Sequence, residues 1–231
     1  QVQPNGITIE GVLNRELSKL LKEDIVVIGA SRTDSGVHSY GNVAVFDTNA
    51  RMPAEKISYA LNQRLPDDIV VQNSSEIPLD WHPRHCNSRK TYEYRILNRE
   101  FPMPQRRLDT WFVYRKLNIP AMCEAAEQFE GTHDFKSFCS VNTAVEDTTR
   151  TIYSCELKQD GELLTIRITG SGFLYNMVRA MAGTIVYAAE GKLAPEDIPA
   201  ILASGNRTLA GPTVPPGGLY MTKLWYEEDV L

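Results

Sequence analysis

The chain has 231 residues, of which 42% are hydrophobic and 23% are charged, and its formal net charge is −5 at pH 7. This composition excludes a disordered or fibrous protein, and the length is enough to bury the core of one large domain or two modest ones. No apolar run approaches the roughly 20 residues that cross a bilayer, so we expect a cytoplasmic protein without a membrane segment.

The first hundred residues alternate between helical and strand patterns. Thr8 precedes apolar residues at helical spacing, which indicates a capped helix. In chain order, the pattern predicts this first helix, strands over 24–29 and 42–47, a helix from Pro53 to 65, and strands over 69–72 and 91–96.

The rest of the chain repeats the theme after a Pro- and Arg-rich connector at 101–108. Its predicted elements are a helix over 119–129, a hairpin of strands 149–157 and 163–169, helices over 174–190 and 195–204, and a strand over 219–226. We therefore expect an α+β fold of two ferredoxin-like halves, 1–100 and 101–231, with mixed or antiparallel sheets side by side and a cleft between them.

Charge is unevenly distributed along the chain. Residues 84–116 contain nine basic and three acidic side chains, although the whole chain is acidic. Such a basic stretch is either a solvated face or a surface that binds phosphate, since Lys and Arg drive nucleic-acid binding. The basic residues are Arg84, Arg89, Lys90, Arg95, Arg99, Arg106, Arg107, Arg115 and Lys116.

The loop RTDSGVH at residues 32–38 lies between two predicted strands. Taken alone, Asp34 and Gly36 are typical of an ordinary turn, in which Asp bonds nearby backbone groups and Gly adopts positive φ. The heptapeptide also resembles GRTDAGVH, the active-site motif of the TruA-type tRNA pseudouridine synthase family.

Further motifs match this family in the same order. They are QVQPN at 1–5, RKTYEYRI at 89–96, GTHDFKSF at 131–138, GFLYNMVRAMAG at 172–183, and AGPT at 210–213 followed by two prolines. Five matches in order are a far more specific signal than one loop. Ser31 and Ser35 replace the usual small Gly and Ala, which leaves the assignment of Asp34 intact. The chain begins inside the family pattern, in which a first strand and a Y-D-G-like segment normally precede the position of Gln1.

The resemblance implies an isomerase that converts uridine to pseudouridine, with Asp34 as its catalytic carboxylate. A carboxylate suits this reaction because it can attack the sugar as a nucleophile or stabilise and deprotonate a cationic sugar. Arg179 would pair with Asp34 and keep it ionised. Asp34, Tyr92 and Arg179 are therefore expected to converge in the cleft.

The other candidate substrate-binding residues also follow from the resemblance. Tyr92 would stack on the target base and assist loss of its C5 proton, although the pattern alone fits an ordinary strand aromatic. Arg32 would fill the space left by the flipped base or grip its phosphates, or else cap a turn. Phe173 and Leu174 would form apolar walls.

The implied substrate is tRNA, modified on the 3′ side of the anticodon stem and loop, at tRNA positions 38, 39 and 40. The resemblance also implies a homodimer, no cofactor and no metal. Two other functions compete with this hypothesis: an RNA-binding module without chemistry, and a metal-dependent hydrolase around His82, His85 and Cys86. A thiol dyad of His133 and Cys139 is a further alternative.

Overall fold

The computed structural model describes residues 1–140 and 146–226. Contacts between Cα atoms divide it into two compact units. The first contains Gln1–Arg32, Asn42–Asn87 and Tyr226, and the second contains Thr33–Gly41 and Ser88–Trp225. These units assign residues 33–41 and 88–100 to the second unit. The division into halves at residue 100 stays a prediction.

The first unit has two helices, α1 (Ile9–Leu21) and α2 (Ala54–Asn62), and a two-stranded antiparallel sheet of β1 (Ile28–Gly29) and β3 (Ala44–Val45). The capped helix predicted at Thr8 is confirmed, because the Thr8 hydroxyl accepts a hydrogen bond of 3.1 Å from the Gly11 N–H. The buried faces of the two helices form a small core with the segment that precedes β1. Its members are Leu17, Leu21, Ile25, Val27, Ile57 and Leu61.

Three strand predictions in this unit were too generous, since the predicted strand over 42–47 is also reduced to Ala44–Val45. Only the end of the 24–29 run is paired, and its burial alternates, with Ile25 and Val27 buried but Val26 65% exposed. No strand forms over 69–72. The Asn62 side chain bonds the Val71 N–H and C=O at 2.9 and 2.8 Å, and so takes the place of a neighbouring strand.

The second unit is built on a seven-stranded mixed sheet. Six strands lie in the order β2-β9-β4-β8-β7-β6, and β5 pairs with β4. The central pairs β4–β8 and β8–β7 are antiparallel, whereas β2–β9 and β4–β5 are parallel. The bounds are β2 His38–Ser39, β4 Ser88–Asn98, β5 Trp111–Val113, β6 Gly131–Asp134, β7 Thr149–Asp160, β8 Leu163–Gly170 and β9 Leu219–Tyr226.

Three helices complete this unit: α3 (Ile119–Glu127), α4 (Met177–Ala189) and α5 (Ile198–Ser204). Helix α3 packs against α4 and β7, and α4 also contacts β4. Alternate residues of β4, Tyr92, Tyr94 and Ile96, enter the shared core, while Glu93 between them bonds arginines. The α+β fold class is thus confirmed. None of the helices in the described ranges has the length and apolar character needed to cross a membrane.

Candidate active site

The loop that carries Asp34 is anchored at its C-terminal end within the second unit. The Val37 N–H donates to the Asp34 carbonyl at 3.1 Å, which closes a turn, and Gly36 adopts φ +82°. A side chain at Gly36 would be strained by this φ and would lie 3.2 Å from Pro216 Cγ. Strand β2 follows at once and pairs with β9, with His38 opposite Tyr220. The loop therefore presents Asp34 from a fixed backbone.

Asp34 forms an ion pair with Arg179, 145 residues away in the sequence. Arg179 Nη1 donates to Asp34 Oδ2 at 2.9 Å. The Asp34 side chain is 27% exposed and the Arg179 side chain is 15% exposed. The pair is therefore shielded from water, although the carboxylate still reaches solvent. A charge-assisted bond of this kind is stronger than a neutral one.

Two further acceptors hold the guanidinium. Arg179 Nε donates to the Val214 carbonyl at 2.7 Å, and Nη1 also donates to Asn176 Oδ1 at 2.8 Å. Asn176 precedes α4 and Val214 lies in the segment before β9. Arg179 is thus fixed by three separate parts of the chain, one of which is the loop of Asp34.

Val214 reaches Arg179 because its segment crosses α4 at very short range. A Cβ atom on Gly183 would lie 2.0 Å from the Pro212 carbonyl oxygen, and one on Gly211 would lie 2.5 Å from the Gly183 backbone. Beside this crossing, the buried Thr184 hydroxyl accepts from the Gly211 N–H and donates to the Ala180 carbonyl, both at 2.8 Å. The glycines of the two motifs at 172–183 and 210–213 therefore serve one contact.

Tyr92 is buried next to this pair. Burial raises the pKa of the Tyr92 hydroxyl to about 12, and the negative charge of Asp34 adds to the rise. The Tyr92 and Phe173 rings meet edge to face with centroids 5.0 Å apart. Leu174 is buried and Phe173 is partly buried against the same core. Tyr92 is therefore a neutral phenol near the carboxylate, with an apolar wall on one side.

The basic stretch at 84–116 does not form one free surface. Four of its arginines are paired with carboxylates: Arg95 with Glu93, Arg99 with Glu162, Arg106 with Asp109, and Arg115 with Glu190. Glu190 follows the last residue of α4, about 16 Å along the helix axis from Arg179 at 1.5 Å per residue. Arg115 therefore lies towards the opposite end of α4 from the ion pair.

The turn of Arg106 and Arg107 has the nearer position. His38 Nε2 bonds the Leu108 carbonyl at 2.8 Å, which joins this turn to the loop of Asp34. The Tyr220 hydroxyl donates to the Asp109 carbonyl at 3.1 Å and fixes the turn from β9 as well. This part of the basic stretch therefore lies beside the candidate site. Arg32, by contrast, is exposed and belongs to the first unit.

The alternative sites have simpler structural explanations. The His82 and His85 rings stack with centroids 4.0 Å apart, and the Cys86 thiol donates to the His82 carbonyl. Within residues 1–140 and 146–226, no group of three His, Cys, Asp or Glu side chains is placed to hold a metal. His133 Nε2 bonds the Glu130 carbonyl, while the Cys139 thiol donates to the Lys136 carbonyl. Burial raises the pKa of the Cys139 thiol.

Comparison with known proteins decides the family. A family model described as tRNA pseudouridine synthase matches residues 1–85 and 125–227. The chain belongs to the tRNA pseudouridine synthase family. It is 44% identical over 226 residues to tRNA pseudouridine synthase A of Thermoanaerobacter sp. strain X514, which covers 98% of this chain and 93% of that protein.

Two further relatives carry the same name. The protein of Ruminiclostridium cellulolyticum is 45% identical over 228 residues, 98% of this chain and 93% of its own length. That of Geobacillus kaustophilus is 44% identical over 233 residues, 100% of this chain and 90% of its own length. These comparisons confirm the family inferred from the motifs of the pseudouridine synthases.

Three of the pseudouridine synthase motifs converge on one place in the second unit. The loop with Asp34, the α4 motif with Arg179 and the AGPT segment before Val214 supply the ion pair and its supports. Sequence reasoning missed Asn176 and the Val214 carbonyl. Asn176 has a signal, since it stands three residues before Arg179 and such residues are neighbours on a helix face. A backbone carbonyl has no sequence signal.

Proposed function

We propose that this chain isomerises uridine to pseudouridine in tRNA and that Asp34 is the catalytic carboxylate. The ion pair between Asp34 and Arg179 carries the proposal. It joins two distant family motifs at a carboxylate that is partly exposed. A carboxylate that reacts with a nucleoside has to be accessible in this way. A purely structural turn would explain Gly36 and the Val37 hydrogen bond, but it would not need Arg179 in a three-point support.

The chemistry needs a carboxylate and no change of oxidation state. The N1–C1′ bond of uridine breaks, the uracil rotates, a C5–C1′ bond forms, and the proton lost from C5 is balanced by one gained at N1. Asp34 either attacks C1′ or stabilises the cationic sugar while the base is detached. Arg179 keeps Asp34 oriented throughout, because its guanidinium is itself held by Val214 and Asn176.

The remaining roles follow from the surroundings of the pair. Tyr92 would present its ring to the flipped uracil, with Phe173 and Leu174 as apolar walls, since an unstacked base is stabilised by aromatic and apolar contacts. Arg32 would contact the phosphates or fill the vacated stack. Tyr92 lies in the stretch 86–124 that the family model leaves unmatched, so its role rests on the motif at 89–96 and on its place beside Asp34.

We further propose a cytoplasmic homodimer that modifies the 3′ side of the anticodon stem and loop, at tRNA positions 38, 39 and 40. A second copy would extend the surface that an elongated tRNA meets, so recognition would depend on shape more than on base sequence. Light scattering coupled to size-exclusion chromatography tests the dimer. A mass near the 25.9 kDa of one chain at every concentration would contradict it.

The test of the activity uses unmodified tRNA transcripts, followed by mapping of pseudouridine at single-nucleotide resolution. The wild-type chain should form product, and Asp34→Asn should form none while it binds tRNA with unchanged affinity. Asp160→Asn is the matched control, since it makes the same chemical change at an exposed residue at the end of β7. Binding without product in the wild type would instead support an RNA-binding module.

A further inference from the structure

Asn176 caps α4 in an unusual way. Its backbone is left-handed, with φ 61° and ψ 5°, and its side chain makes no capping hydrogen bond to its own helix. Asn at this position ordinarily accepts from a backbone N–H of the first turn, which stabilises the helix. Here the amide points elsewhere, so its contacts serve another purpose than capping.

The amide lies between Arg179 and Ser140. Its Oδ1 accepts from Arg179 Nη1 at 2.8 Å, and its Nδ2 donates to the Ser140 hydroxyl at 2.7 Å. Because a guanidinium only donates, the oxygen of the amide has to face Arg179 and the nitrogen has to face Ser140. The orientation of the Asn176 side chain is therefore determined from both ends.

These contacts leave the Arg179 guanidinium little freedom. The two hydrogens of Nη1 go to Asp34 Oδ2 and Asn176 Oδ1, and Nε donates to the Val214 carbonyl. Without the Asn176 oxygen, Arg179 keeps its charge and two bonds, but the guanidinium plane can tilt about them. The Asp34 carboxylate, which is 27% exposed, then loses a fixed partner.

We infer that Asn176 is a positioning residue for the reaction: it orders the Arg179 guanidinium, which in turn orients Asp34, and Ser140 orders Asn176. This inference rests on the proposed function, since it assigns a role at the same site. It concerns the chemical step and not the binding of tRNA. Small displacements of reacting groups have large effects on rate, so loss of this order should reduce kcat.

Two substitutions distinguish the effect of the Asn176 amide from the effect of its backbone conformation. Glycine adopts the left-handed conformation without strain, so Asn176→Gly removes the amide and keeps the backbone, whereas Asn176→Ala removes the amide and strains the backbone. Both should lower kcat about tenfold, as expected for loss of a hydrogen bond to a charged group, with KM and tRNA affinity within about twofold of wild type. Asn176→Ala should lower Tm further than Asn176→Gly, because only alanine strains the backbone.

Ser140→Ala tests the second link. It leaves the Asn176 oxygen in reach of Arg179 but frees the amide to rotate, so kcat should fall less, about threefold. The double variant Asn176→Gly/Ser140→Ala should be no slower than Asn176→Gly, because Ser140 acts only through the amide. A double variant whose kcat falls by the product of the two single reductions would overturn this part of the inference.

A spectroscopic measurement tests the contact without activity. In ¹⁵N–¹H spectra of arginine side chains, assigned with Arg179→Lys, the Arg179 Nη protons should be resolved in the wild type and averaged by rotation in Asn176→Gly. Wild-type kcat in Asn176→Gly, or unchanged Arg179 signals, would overturn the inference. Absence of product from the wild type would overturn the proposed function, and the Arg179 signals would still decide whether Asn176 holds the guanidinium.

Discussion

At the scale of single residues, Tyr92 shows how burial limits chemistry. Burial and the nearby Asp34 charge raise the pKa of its hydroxyl to about 12, so the phenol keeps its proton in the physiological range. A resting phenolate is therefore not available to take the C5 proton. If Tyr92 assists that transfer, another group has to accept its proton at the same time, and otherwise its contribution is the contact of its ring with the base.

The raised pKa of Tyr92 predicts a pH-dependent stability. Between pH 10 and 12 the folded chain keeps a proton that the unfolded chain releases, so the free energy of unfolding falls as pH rises through this window. At about 1.4 kcal/mol per pKa unit, the loss is up to about 3 kcal/mol. Urea unfolding at a series of pH values should show this loss in the wild type relative to Tyr92→Phe. Parallel curves for the two proteins would contradict it.

Arg179 also acts through geometry and not through charge alone. A lysine keeps the positive charge but cannot donate to Asp34, Asn176 and Val214 together, because its ammonium is a single point at the end of a flexible stem. We expect Arg179→Lys to reduce kcat at least about 100-fold.

Arg167→Lys serves as the control for this change. Arg167 pairs with Glu93 and its side chain is 55% exposed, so we expect little effect. Assays of single-turnover product formation should separate the two variants, and equal activity of both would show that only the charge of Arg179 matters.

At the scale of elements, the contact between α4 and the segment before β9 supports the site. Alanine favours a helix interior over glycine by about 1 kcal/mol, which would stabilise Gly183→Ala. The added Cβ would meet the Pro212 carbonyl oxygen at 2.0 Å, however, and overpacking of this kind costs about 1–3 kcal/mol or more. The steric effect therefore outweighs the propensity.

We expect Gly183→Ala to lower Tm and also activity, because the segment that carries Val214 has to move away from Arg179. Gly41→Ala is the matched control in the same unit, since its Cβ would meet only the Thr222 carbonyl oxygen at an ordinary 3.8 Å. Thermal unfolding and product formation should both separate the two variants. A Gly183→Ala protein as stable as wild type would show that the segment before β9 can move away from α4 at little cost in free energy.

Local patterns predicted the elements that local interactions form. The cap at Thr8, the alternation along 91–96 and the hairpin after 149 all have their cause within a few residues, and α1, β4 and the β7–β8 pair appear as expected. Helix α4 starts three residues later than predicted, at Met177, because Asn176 is left-handed.

Long-range contacts had no such signal. Strands β2 and β5 have two and three residues and form only because β9 and β4 lie beside them, so periodicity could not reveal them. The pairing of Asp34 with Arg179 followed from the family resemblance alone, and the support from Val214 is a backbone contact that no residue type announces. The motifs thus predicted which residues belong to the site, but not the contacts that hold them in place.

At the scale of the whole molecule, an acidic chain has to bind an anion. The formal charge of −5 disfavours tRNA at long range, so binding depends on where individual arginines lie. The turn of Arg106 and Arg107 adjoins the loop of Asp34, whereas Arg115 pairs with Glu190 at the far end of α4.

We therefore expect affinity for tRNA to fall steeply with salt. Arg107→Gln should reduce the slope of log affinity against log salt by about one unit, because one phosphate contact is lost, without a change in the modified position. Arg115→Gln should leave the slope unchanged. Filter-binding or fluorescence titrations across salt concentrations measure both, and the reverse ranking would place the tRNA contact at the other end of α4.

The pairing of β2 with β9 constrains when the site can form during synthesis of the chain. On the ribosome, the loop of Asp34 is made early, but its strand partner is the last element of the sheet to be synthesised. At about 5–20 residues per second, this partner follows roughly 10–40 seconds later. A nascent chain therefore carries its carboxylate long before any strand can place it, and modification of tRNA can begin only after translation has reached β9.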